Sequence, residues 1–320
     1  MRKMTKVWLI IAASLVLVGC VIFGGVMTVL KWDFAKLSTV KMETNEYIIS
    51  EKFRGVAVGT DVADVVFAVS EDGKCAVKCV EDSKRKHTVT VKEDTLVIKM
   101  TDNPKWFERI GIHFTVPKIT VYLPKGEYNG LLIREATGDI QIPKDFTFKT
   151  ADISLSTGSV NFSASVSESV KIKGSTGDIH VENVSADSLD IAVTTGGITA
   201  SNVTCRGDAT VQVSTGRADL KQMSCANFTS DGSTGNITLT DVIVTEKLSV
   251  KRSTGDVKFD GTDAGEIVVE TSTGAVTGSL LSEKVFLVKT DTGKVNVPQT
   301  VSGGKCQITT STGNIKVTMK

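Results

Sequence analysis

The chain has 320 residues, 41% of them hydrophobic and only 6% aromatic, with 28 Gly, 5 Pro and a formal charge of +1 at pH 7. This is enough for a sizeable core but speaks against long helical domains. Without Arg2, Lys3 and Lys6 the remainder carries about −2, so there is no basic stripe to attract nucleic acid and no aromatic-basic interleaving for stacking bases.

Residues 1–6 carry three cations, and Val7 to Leu30 carry no charge. As a helix, 24 residues reach about 36 Å, enough to cross a hydrocarbon core of about 30 Å with some tilt. Only Lys31 and Lys36, with Asp33 between them, follow closely. The positive-inside rule therefore predicts a single-pass anchor over 7–30, with residues 1–6 cytoplasmic and everything beyond it extracytoplasmic in the cell membrane. Leu17-Val18-Gly19-Cys20 also resembles a lipobox, which leaves lipidation of Cys20 open as the alternative. Against it, the apolar run continues ten residues past Cys20, whereas a cleaved signal has a core of about 7–15 residues and a polar start to the mature chain.

Residues 31–50 read as a polar linker. Over 51–130, Val56, Val58, Val65, Phe67, Val69, Val89, Val91, Leu96 and Ile98 alternate with polar residues and predict short strands. The charged stretches Glu71-Asp72-Gly73-Lys74 and Glu81-Asp82-Ser83-Lys84-Arg85-Lys86 read as solvated hairpin tips. Trp106, Phe107 and the run from Ile110 to Phe114 form an aromatic group expected in the core. The region as a whole predicts an irregular β cap, or degenerate first coils, covering the start of residues 131–320.

From 131 to 320 one pattern repeats. Ten dipeptides recur every 19 or 20 residues: Thr137-Gly138, Thr157-Gly158, Thr176-Gly177, Thr195-Gly196, Thr215-Gly216, Thr234-Gly235, Thr254-Gly255, Thr273-Gly274, Thr292-Gly293 and Thr312-Gly313. The residue two after each Gly is apolar, from Ile140 to Ile315, and each dipeptide comes after an alternating run such as Leu189-Asp190-Ile191-Ala192-Val193. Period-two alternation rich in Val, Ile and Thr means strands, and a unit of about 20 residues must stack on its neighbours to bury its apolar side. The fold class predicted is all-β: a parallel β-solenoid of about ten coils, roughly 45–50 Å long at strand spacing, with right-handed winding expected. Gly reaches positive φ without a Cβ clash, so each Thr-Gly marks a structural corner, and the ten Thr form a ladder. Two irregularities are Asp291, where most copies have Ser, and a weakened run at Ser230-Asp231-Gly232. No cap stands after the last strand; Lys316 and Lys320 blunt the C-terminal edge, or a partner or a second copy covers it.

Chemistry is sparse. His87, His113 and His180 have no second His or Cys at metal-ligand spacing, so no metal or cofactor is predicted. The residues after the corner Gly include Asp139, Asp178 and Asp256 but also Arg217 and Lys294, too mixed for a calcium ladder and better read as isolated turn residues. A Thr beside Gly at a corner does not make the flat paired ladder of an ice-binding face. Among five cysteines beyond the apolar run, Cys205 and Cys225 fall at equivalent places in successive coils; two stacked small residues are preferred, and a disulfide is the alternative. Cys75 and Cys79, about 13 Å apart if extended, are too far apart to bridge.

The apolar N-terminal segment, Ile119-Thr120-Val121-Tyr122-Leu123-Pro124-Lys125-Gly126 and the serial Ser-Thr-Gly-Asp-Ile units together resemble the bacterial putative-adhesin β-strand-repeat family, a membrane-anchored domain of unknown function. The resemblance covers about residues 50–320. It implies a β-solenoid envelope protein and carries no catalytic residues. The expectation is thus a non-enzymatic anchored protein that presents a solenoid for binding or adhesion, with a protein or cell-wall glycan as partner. The alternatives are a regulatory or sensory component of an envelope stress response and, more remotely, a carbohydrate-acting enzyme.

Overall fold

The structure, a computed structural model, describes residues 3–33, 41–101 and 116–320. The aromatic group at 106–114, His113 included, falls outside the described residues. Among the described residues one helix, Lys3–Val29, is followed by an all-β body of 25 strands. The helix stretch Met4–Val29 is long and apolar enough to cross a membrane.

Each repeat coil is a three-sided turn. In the coil cornered at Thr195, strand Ser188–Thr195 forms one face, and strand Ile198–Cys205 is bent at Asn202 into the other two. Asn183, Asn202, Gln222 and Asp241 occupy that bend with φ between 51° and 58°, a left-handed conformation that Asn and Asp tolerate better than most residues. Asn202 Nδ2 donates to Asn183 Oδ1 at 2.7 Å, which ties these two bends together. At the first corner, nine of the ten Gly have φ from 126° to 159°. A Cβ there would drive into the preceding coil; at Gly216 it would strike the Gly196 carbonyl. The adjacent column, read from sequence as isolated turn residues, staples coils together: Asp139 Oδ1 accepts the Ser159 N–H at 2.8 Å and Asp178 Oδ1 that of Gly197 at 2.7 Å. Between the corners, Val, Ile and Leu from every coil form one continuous core.

The stacking order departs from chain order at both ends. Strand Gly55–Val62 lies between Thr95–Met100 and Glu127–Thr137, parallel to both, so the cap continues the solenoid by two further layers. Antiparallel strands His87–Lys92 and Cys75–Asp82 then close that end, and Met42–Ile49, expected within a linker, pairs with Cys75–Asp82. Phe53, Tyr128, Phe148, Phe146 and Phe67 form a chain of ring contacts inside this region, with centroids 5.8–6.4 Å apart.

At the other end, strand Gly304–Thr312 inserts between Val257–Thr273 and Lys284–Thr292. The Gly274 N–H accordingly reaches the Thr312 carbonyl, and the Gly313 N–H that of Thr292, each at 2.9 Å. The expectation that the chain's last strand is the open edge is therefore overturned. The final coil is paired on both sides, Lys316 does not lie on an outer edge, and the exposed layer is the penultimate coil, 284–300.

Candidate functional site

The side chains that depart most from the apolar pattern gather at the cap end. Glu81, placed by sequence on a solvated hairpin tip, is buried together with His87. The reason is the antiparallel closure, which folds Glu81 and His87 inward over the end of the core. His87 Nδ1 lies 2.6 Å from Glu81 Oε2, and Nε2 lies 3.0 Å from Thr60 Oγ1. The same Glu81 Oε2 accepts the His87 backbone N–H at 2.7 Å, and Oε1 accepts from Asn45 Nδ2 at 2.7 Å. Cys79 Sγ comes within 4.8 Å of these His and Glu ligand atoms, a grouping of metal-ligand types that the sequence spacing did not reveal. Both Glu81 oxygens already receive donors and both His87 nitrogens are engaged, so the group is complete as a polar strut joining three strands to the Thr60 layer.

One layer further in, Thr60 aligns with Glu135. Glu135 is buried, neither of its carboxylate oxygens meets a donor, and the nearby Ala63 N–H is committed to the Thr137 carbonyl. Burial, reinforced by Asp64 and Asp139, pushes its carboxyl up to about 8. In the same inward column, Thr271, Thr310 and Thr290 each donate to a corner Gly carbonyl of an adjacent coil. Further along, Arg252 is buried over Gly232 and donates to Ser230 Oγ at 2.9 Å, which explains the weakened run at Ser230-Asp231-Gly232: two small residues make room for a guanidinium. Burial lowers the Arg252 pKa, partly offset by Asp231.

On the outer face of the same layers the side chains dip. Gly55, Ala57 and Gly59 form the floor of a groove, with Val97 and Lys99 on one side and Leu132, Arg134 and Ala136 on the other; one part encloses about 770 Å³ and an adjoining part about 430 Å³. Arg134 is held by a bidentate pair with Asp152, at 3.0 and 2.8 Å. Lys99 has no salt bridge among the described residues. The groove offers an apolar floor and one uncommitted cation, which suits binding.

The model of the Toastrack DUF4097 family matches residues 55–214 and 207–320. The chain belongs to that family. Solved structures similar to this Toastrack chain include a putative lipid binding protein from Parabacteroides distasonis, 17% identical, covering 75% of this chain and 98% of that one at a TM-score of 0.50. Putative adhesins from Parabacteroides distasonis and Bacteroides fragilis are 15% and 18% identical, covering 76% and 87% of this chain and 98% and 97% of theirs, at TM-scores of 0.46 and 0.39. No curated protein matches the chain.

Within the Toastrack solenoid, the corner Thr side chains are exposed as a ladder. Cys205 and Cys225 stack in successive coils as free thiols; Cys205 Sγ donates to the Asp187 and Asp208 carbonyls at 3.2 and 3.3 Å, and burial pushes Cys225 up to about 12. Cys20 is an exposed free thiol on the apolar helix. Glu135 and Arg252 had a readable signal, since both are charged in a column whose other members, among them Leu155, Val193, Val213 and Thr271, are apolar, small or Thr. Glu81 and His87 had none, because only strand pairing brings them together.

Proposed function

We propose that this Toastrack protein is a non-enzymatic, membrane-anchored envelope protein, with residues 1–6 in the cytoplasm and the solenoid displayed on the far side of the membrane for binding or adhesion. A charge-free helix preceded by three cations supports the anchor and its orientation. Chain length alone keeps Met42 within about 30 Å of Asp33, so the cap end stays near the bilayer. The observation that carries the binding role is the groove over Gly55, Ala57 and Gly59, where the outer face opens over a floor of small residues. The partner fits a protein segment or a wall glycan lying along the strand.

The test uses the full-length chain in lipid nanodiscs, presented with purified wall glycan and with solubilised envelope proteins. A Cβ at Gly59 meets nothing within 4 Å, so Gly59→Val fills the groove without disturbing the fold. Capture by wild type that drops at least tenfold in Gly59→Val supports the proposal. Capture unchanged by the variant removes the groove from it, and glycan cleavage by the purified chain overturns the non-enzymatic reading.

A further inference from the structure

The two ends of the rod are built differently. The cap end is closed by antiparallel strands, whereas the outermost layer of the other end, coil 284–300, pairs on one side only, with Gly304–Thr312 and Ile315–Met319. Its inward positions Phe286, Val288 and Val297 are only half-buried, and Val295, buried as Ile or Val in most other coils, is 46% exposed. Leu287, 53% exposed, adds to this apolar end on the outer face, and Val301 stands almost fully in solvent. Solenoids ordinarily cover such a layer with a polar terminal repeat, and edge strands are ordinarily protected by charges of one sign or by Pro. Here strand Lys284–Thr292 is free of Pro, and its two exposed charges, Lys289 and Asp291, are opposite and adjacent, 3.4 Å apart. The edge is therefore complementary in charge to itself.

We propose that coil 284–300 is the interface of an end-to-end dimer with a second copy of this chain. The cap end finishes on strand His87–Lys92, which runs antiparallel to Thr95–Met100, so head-to-tail stacking cannot continue the parallel ladder there. A twofold axis perpendicular to the first face at Thr290 instead lays strand Lys284–Thr292 antiparallel to its equivalent, with Lys289 of each copy opposite Asp291 of the other, and sets the open core end of one copy against that of the other. Such an isologous contact closes at two copies and leaves no further edge. This assignment is independent of the ligand-binding role proposed above.

The test is sedimentation of the full-length chain in detergent micelles, comparing wild type with Lys289→Asp and Asp291→Lys. Both side chains are well exposed, and circular dichroism and the melting temperature confirm that each variant folds. Wild type is expected to dimerise. Lys289→Asp makes the edge wholly acidic and Asp291→Lys wholly basic, so each alone should dimerise at least tenfold more weakly. Mixed together, the two variants should form a heterodimer at close to wild-type strength. Leu287→Lys, which places a charge on the exposed apolar position, should weaken every combination. A monomeric wild type overturns the proposal. So does a dimer indifferent to all three substitutions, as one held through the N-terminal helix would be, or a failure of the two charge variants to recombine.

Discussion

At the scale of single residues, the solenoid tolerates charge in its core only where a neighbour answers it, and Glu135 is the exception. With its carboxyl raised from 4.5 to about 8, both folded and unfolded chains are protonated below about pH 4.5. Between there and pH 8 the unfolded chain releases the proton while the folded chain keeps it. Stability therefore falls as pH rises, by up to about 1.4 kcal/mol per unit, and levels off above pH 8. Leu155 fills the same column one coil on, so Glu135→Leu should flatten this slope and gain a few kcal/mol at pH 8. Melting temperatures from pH 5 to 8 decide it, and a slope equal to wild type would show that another group is responsible. Glu81 is the opposite case, since every oxygen is used. Glu81→Ala strands Asn45 Nδ2 and two His87 donors in a buried site, at an expected cost of about 3–5 kcal/mol in chemical denaturation.

At the scale of the element, the corner is a backbone device. Gly216 combines φ of 140° with a Cβ position driven against the Gly196 carbonyl, while Gly73, in an exposed turn at φ 73°, has open space around it. Gly216→Ala should cost upwards of about 3 kcal/mol and Gly73→Ala about 1 kcal/mol, because the first adds steric displacement of a stacked coil to the conformational penalty. Equal losses in urea titrations of the two variants would mean that the corner carries no stacking constraint. The corners, the inward columns and the strands were legible in the sequence because each coil repeats the same local requirement. The left-handed bend at Asn183, Asn202, Gln222 and Asp241 was less so, since four positions share a conformation but not a residue type. Groove and polar strut were not legible at all: Gly55, Ala57 and Gly59 read as ordinary small residues until Leu132 and Val97 stand beside them, and His87 meets Thr60 only across layers.

At the scale of the molecule, sequence order predicts stacking order through the regular coils and fails at both ends, because a parallel layer accepts any chain segment with the right alternation. Strand Gly304–Thr312 comes after Lys284–Thr292 in the chain but precedes it in the stack, which makes the last coil the only strand partner of the penultimate one among the described residues. A solenoid that ended in chain order would lose one coil on removal of residues 304–320. This one should lose two, since coil 284–300 would have no parallel neighbour and a 20-residue layer cannot hold its apolar side alone. Limited proteolysis of the chain ending at Gly303, read by mass spectrometry, is therefore expected to trim it back to about residue 282, with the Thr273 coil as the new protected end. A fragment that resists to Gly303 would mean that coil 284–300 redocks directly on Val257–Thr273. Insertion of the last coil would then be a matter of folding history rather than of which stack is most stable.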